Sequence, residues 1–318
     1  MKLKNLVVAT EKKGYYNILE ESCKKYNVEL IPLGMGEEWT GFTKKFYLWR
    51  DYLEKLDDDE IIMINDAYDV IILEDADIII KKFKSFNKNI VFGNQSDFVS
   101  KLVFPSCQVF KKYILCTGSI IGYVKYLKKL IKIIFKHEKT WNSTTDQIIL
   151  NNVCEKETIF FNNNITIDKD QQIFLVTAGS HYFYNYIFKL IPNIYMKNDR
   201  LYTNNNITPS ILHLAGDLDG KKYIKYLNYR NIPENNFFKI KSYKKKQLYK
   251  YLNFTIKYNK YTIFLSIITI AIYLYFFKPN RQNLIIFMLG YIFIFDNKAM
   301  LIPSILLLTL ILLVINLF

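Results

Sequence analysis

Asp66 and Asp69 stand three residues apart, directly after the apolar run Ile61-Ile62-Met63-Ile64, and a second apolar run from Val70 to Leu73 follows them. A buried strand that ends in acids projects them from its C-terminal edge, where ligands bind in open α/β sheets. Two hard carboxylates at such an edge suit Mg²⁺ or Mn²⁺, and a divalent ion there would neutralise charge on a departing diphosphate. By itself the pair reads equally well as two solvated acids in a turn. Three further residues extend the constellation. His213, in Ser210-Ile211-Leu212-His213-Leu214, is carried by a short apolar strand to a glycine-containing turn, and it is the histidine placed to complete a metal shell. Asp146 opens a helix after Ser143-Thr144-Thr145, where an acid either stabilises the positive helix end or faces a cleft. Trp39 lies in a loop, as a stacking platform for a base or as plain packing.

The elements that must position these residues follow from apolar periodicity and turn residues. A strand from Leu3 to Thr10, a helix from about Tyr15 to Tyr26 and a strand from Val28 to Leu33 make a βαβ unit. Such a unit predicts a parallel sheet with a right-handed crossover. Helices are expected over Lys44 to Leu56, Asp77 to Phe86, Lys125 to His137 and Gln147 to Val153. Further strands are expected at Asn89 to Phe92, Leu115 to Tyr123, Ile165 to Asp168, Ile173 to Val176 and Ser210 to Asp217. The fold class is α/β.

In order, the chain carries Val-Ala-Thr at Val8 to Thr10, Leu-Gly-Met-Gly-Glu-Glu-Trp at Leu33 to Trp39, and Asn-Asp-Ala-Tyr-Asp-Val at Asn65 to Val70. Thr-Gly-Ser-Ile-Ile-Gly-Tyr follows at Thr117 to Tyr123, then Thr-Asp-Gln at Thr145 to Gln147, Asn-Ile-Thr-Ile-Asp at Asn164 to Asp168, and Ile-Leu-His-Leu-Ala-Gly at Ile211 to Gly216. Over about residues 1 to 232 this order resembles the glycosyltransferase domain of the multifunctional procollagen lysyl hydroxylases and the related collagen-type galactosyl- and glucosyltransferases. The resemblance implies a GT-A, Rossmann-like fold and transfer of a hexose from a UDP-sugar to a hydroxyl of a protein or glycan acceptor. It also implies Mn²⁺, or Mg²⁺ in its place, held by Asp66, Asp69 and His213. It makes Tyr68 and Trp39 the lining of the uridine, Thr10 a nucleotide contact, Lys44 a basic contact near the donor phosphates, and Asp146 a residue on the acceptor or sugar side. Three positions depart from the pattern. Ala215 stands where the family has Asn in His-x-Asn-Gly, Asp146 is the remnant of an acid-rich run, and Gln95 replaces an acid. They keep open a second reading, a catalytically silent domain that binds sugar nucleotide or glycan.

Composition bounds the rest. At 318 residues and 51% hydrophobic content the chain holds one large core and something more. The net charge of +14 does not point to nucleic acid: from Lys239 to Lys260 there are eight lysines and no acid, directly before an apolar tail, and no nucleic-acid module is present. Uncharged runs over Tyr261 to Phe277 and Met300 to Phe318, with a shorter one over Asn283 to Phe295, read as two or three helices meeting a lipid bilayer. The expected organisation is therefore 1–232 globular, 233–260 basic linker and 261–318 membrane segment. The lysine block, and a run from Leu6 to Ala9 too short for a signal peptide, put the globular part on the cytoplasmic side. Asn-x-Ser/Thr sequons at Asn142, Asn164, Asn206 and Asn253 favour the lumenal alternative. Cys23, Cys107, Cys116 and Cys154 lack zinc-site spacing and are expected as free buried thiols.

Overall fold

The chain enters with β1 (Leu3–Val8), crosses through α1 (Tyr16–Lys25) to β2 (Val28–Leu33), and returns through α2 (Lys44–Leu53) to β3 (Ile61–Asp66). These elements come from a computed structural model that describes residues 2–95, 107–111, 113–141, 145–177, 195–197, 200–203, 206–215 and 227. The expected linker and membrane segment, 233–260 and 261–318, lie outside the described residues. Among the described residues no helix is long and apolar enough to cross a membrane.

After β3 come β4 (Val70–Ile72), α3 (Ala76–Ser85), β5 (Ile90–Asn94) and β6 (Leu115–Tyr123). Three helices follow, α4 (Val124–Lys136), α5 (Asp146–Lys156) and α6 (Thr158–Asn164), and then β7 (Ile165–Asp168) and β8 (Phe174–Val176). The hairpin of β9 (Tyr195–Lys197) and β10 (Arg200–Tyr202) precedes β11 (Ile211–His213).

Six strands form the main sheet in the order β2-β1-β3-β6-β5-β7, while β4-β11-β8 form a small second sheet. The βαβ unit is parallel as its sequence predicts, and β1 also runs parallel to β3. The sheet as a whole is mixed and not parallel, because β6 lies antiparallel between β3 and β5.

Alternation along the strands sorts the core into two layers. Leu6, Val8, Ile62, Ile64, Ile90 and Phe92 face Phe46, Trp49 and Leu53 of α2 together with α4, α5 and α6. Leu3, Val7, Ile61, Met63 and Val91 face α1, α3 and the small sheet. Asp66 continues the series of Ile62 and Ile64, which puts it on the α2 side at the carboxyl end of β3.

Cys107 and Cys154 are joined in a disulfide, with Cα atoms 5.7 Å apart, while Cys23 and Cys116 are free and buried. Two of the four expected free thiols are thus paired. Forty-seven residues separate the partners, and no local spacing announces such a pair.

Candidate metal centre

Backbone pairing brings the three sequence-predicted ligands together. Asp66 ends β3 opposite Val8 of β1, and His213 ends β11 opposite Val70, the residue after Asp69. The amide of Leu214 donates to the carbonyl of Asp69 (2.7 Å), so the turn between the two acids is stitched to the strand that carries the histidine. His213 Nε2 lies 3.5 Å from Asp66 Oδ2 and 3.5 Å from Asp69 Oδ1. Among the described residues these three form the group whose ligand atoms all gather within 4.8 Å of one another.

The donor set fits a hard divalent cation with one imidazole. His213 is 1% exposed, and its Nε2 has no hydrogen-bond partner among the described residues although two carboxylates face it. A buried polar nitrogen in that state is costly unless something electropositive engages it. Burial alone would lower the His213 pKa, but Asp69, Cys116 and Asp66 raise it well above the ordinary histidine value.

Gly118 makes room for the cradle. An ideal Cβ built there would fall 2.3 Å from Asp66 Oδ2 and 2.6 Å from His213 Cε1, so any side chain would fill the space. The local fold that delivers Gly118 is a bulge: Phe92 pairs with Ile120 but Gly93 with Cys116, which leaves Thr117, Gly118 and Ser119 out of register with β5. Gln147 holds the bulge. Its Oε1 accepts from the Thr117 amide (3.0 Å) and hydroxyl (3.1 Å), and its side-chain amide donates to the Leu115 carbonyl.

A buried ammonium sits beside the acids. Lys45 Nζ donates to Asp66 Oδ1 (2.6 Å) and to Asp146 Oδ2 (2.9 Å), and the residue is 7% exposed. Burial opposes its charge, yet Asp146 and Asp66 raise the ammonium pKa far above the usual lysine range. Asp66 is likewise pushed up by burial and pulled down by Lys45 and His213, and the pull prevails. Asp66 therefore turns Oδ1 to Lys45 and Oδ2 toward His213.

The remaining sequence-predicted residues fall as follows. Asp146 is buried at the start of α5, with Oδ1 accepting from the Gln147 amide (2.9 Å) and Oδ2 from Lys45. The Thr10 amide donates to Tyr68 Oη (3.1 Å), which ties the end of β1 to the turn between the acids. Trp39 is 41% exposed and meets Phe42 edge-on, and Lys45 Nζ lies 5.5 Å from the Phe42 ring centre. Lys44 turns elsewhere: its ammonium bonds the Glu38 carbonyl (2.6 Å) and the Glu37 carboxylate (2.8 Å). The basic residue at the acids is its neighbour, and the helix pattern contained the signal. Lys45, Trp49 and Leu53 repeat every four residues along the buried face of α2. Sequence reading also passed over Gln147 as a site residue, since glutamine is not a usual ligand type.

A family model described as the PLOD GT domain matches residues 1–236. Procollagen-lysine,2-oxoglutarate 5-dioxygenase 2 of Homo sapiens is 27% identical over 200 residues, covering 56% of this chain and 26% of the relative. The multifunctional procollagen lysine hydroxylase and glycosyltransferase of Caenorhabditis elegans is 28% identical over 184 residues, covering 53% and 25%. The match thus spans about a quarter of the length of these curated relatives. Among solved structures, a glycosyltransferase involved in the glycosylation of the major capsid of PBCV-1 overlays with a TM-score of 0.41 at 13% identity, covering 70% of this chain and 98% of that one.

Proposed function

The chain belongs to the PLOD GT domain family and is a glycosyltransferase domain; from that premise we propose that it has a GT-A fold and moves a hexose from a UDP-sugar to a hydroxyl of a protein or glycan acceptor, with Mn²⁺ or Mg²⁺ held by Asp66, Asp69 and His213. The observation that carries this reading is the buried Nε2 of His213, which faces two carboxylates at 3.5 Å, with no hydrogen-bond partner among the described residues, across a space that a side chain at Gly118 would fill. When bound, the cation supplies charge that neutralises the diphosphate of the leaving nucleotide.

The chain's own residues do the rest. Lys45 stays protonated between two acids and places a fixed positive charge at the edge of β3, where it stabilises the departing phosphates without reorganising. Asp66 stays ionised at all ordinary pH, because its pKa is held below the usual carboxylate range. Asp146 has both oxygens engaged, by Lys45 and by the Gln147 amide. In this reading it orients Lys45 instead of taking a proton from the acceptor. Thr10 and Tyr68 form a joined wall beside the acids, and exposed Trp39 offers an aromatic face to the uracil ring. Lys44 serves to fix the loop of Glu37 and Glu38. The names of the relatives support a lysine-derived hydroxyl on a protein as acceptor.

The test is release of UDP across a panel of sugar nucleotides with Mn²⁺. Release that needs metal and disappears in Asp66→Ala and Asp69→Ala is expected; undiminished release in the presence of chelator would contradict the reading.

We also propose that the chain is anchored to a membrane through the runs 261–277 and 300–318, supported by their length and the lysine block before them. The Cys107–Cys154 disulfide favours a lumenal, oxidising side over the cytoplasmic one that the lysines suggested. A mobility shift on deglycosylation is the expected outcome, and an unshifted band from a secretory host would return the domain to the cytoplasmic side.

A further inference from the structure

Ser119 plays no part in the chemistry described so far. Its Oγ lies 2.8 Å from His213 Nδ1, and both residues are buried. The opposite ring nitrogen, Nε2, is the one turned to Asp66 and Asp69. An imidazole gives a metal a single lone pair, and the hydrogen bond at the other nitrogen decides which atom offers it.

We propose that Ser119 is a positioning residue whose hydroxyl oxygen accepts the Nδ1–H of His213 and thereby commits the Nε2 lone pair to the cation site. The proposal rests on the metal reading given under Proposed function. Cys116 Sγ also approaches Nδ1, at 3.6 Å, but a thiol is a weak acceptor and holds the ring poorly.

The fold gives this serine little freedom. Ser119 pairs with Asn65 across β3 and β6, one residue before Asp66, so its backbone is fixed relative to the acid. Gly93 lies across from its side chain: an ideal Cβ at position 93 would fall 2.7 Å from Ser119 Cβ and 3.0 Å from Val176 Cγ2. Val176 is in turn the β8 partner of His213. The bulge in β6 and the glycine in β5 thus open a slot that admits a small hydroxyl residue directly behind the imidazole.

The experiment is Mn²⁺ titration by calorimetry on the full chain, without nucleotide. Binding by wild type and its loss in Asp66→Ala establish the metal site independently of Ser119. Ser119→Ala is then expected to weaken Mn²⁺ binding by roughly 10- to 100-fold, the usual consequence of removing a partner of a metal-bound histidine. In a His213→Ala background the same change is expected to add nothing, because the two residues act through one ligand. Unchanged affinity in Ser119→Ala, or an equal further loss without His213, overturns the inference and leaves the metal site standing. Failure of wild type to bind overturns both. If Ser119→Ala does not fold, the ¹⁵N shifts of His213 in the Mg²⁺-loaded wild type decide: an Nδ1–H tautomer supports the assignment and an Nε2–H tautomer overturns it.

Discussion

Helices α2 and α5 each begin in a polar cleft and end in an apolar layer, so the two regions can be compared along one backbone. Lys45 and Asp146 belong to the cleft; Phe46, Trp49 and Leu53 on α2, and Ile149, Leu150 and Val153 on α5, belong to the layer. In the layer each side chain contributes contacts that are largely its own, and packing leaves a void of only about 10 Å³ among Phe46, Trp49, Ile64 and Phe92. In the cleft each group exists because a neighbour does: Lys45 compensates Asp66 and Asp146, and Gln147 satisfies the bulge that makes room for Asp66 and His213. Losses in the layer should therefore be local and additive. Losses in the cleft should strand a partner and couple to metal binding.

The sharpest way to break that contrast is Lys45→Met. The substitution preserves volume but leaves Asp66 and Asp146 without their shared cation, and it should cost about 3–5 kcal/mol in chemical denaturation, with Mn²⁺-dependent turnover lost as well. A cost no larger than that of a surface substitution would place Lys45 outside the machinery. Ile134→Ala, in the apolar layer on α4, should cost about 2–5 kcal/mol while the Mn²⁺ affinity of the folded protein stays unchanged. If metal affinity fell with it, the two regions would not be separable.

Gln147→Leu should cost about 1–3 kcal/mol, because the buried Thr117 amide loses its acceptor. A larger fractional loss of metal affinity than of stability would place its effect at Gly118. The smallest expected effect concerns the thiols. Burial pushes Cys23 up to about 12, with Asn5 opposing, so the thiolate appears in the folded chain only as pH rises through that range. The neutral thiol's contribution to stability is present below the ordinary cysteine pKa and fades above it. Iodoacetamide at pH 8 should leave native Cys23 unlabelled, and denaturation without reductant should expose two thiols, Cys23 and Cys116. Four would remove the disulfide.

The cleft was more legible in the sequence than the sheet around it. Asp66, Asp69 and His213 were named as one ligand set by the ordered resemblance, since strand-end acids alone read equally well as a solvated turn, and the expected bounds of β2, β6 and β7 are those observed. The antiparallel direction of β6 was hidden, since a buried strand reads the same in either sense. Lys45 was passed over because the resemblance pointed to Lys44, although helical phase places Lys45 with Trp49 and Leu53 on the buried face of α2. Helix α6, Thr-Ile-Phe-Phe-Asn-Asn-Asn, was not expected: Asn and β-branched residues favour other conformations, and Phe161 packing into the core outweighs that preference. Asp146 was left between two roles because the lysine it pairs with lies 101 residues away.

The most direct measurement is anomalous scattering at the manganese edge from crystals grown with Mn²⁺ and UDP. A peak bonded to Asp66, Asp69 and His213 and bridging to the diphosphate is the predicted result. UDP bound with manganese elsewhere, or with no manganese at all, would contradict it.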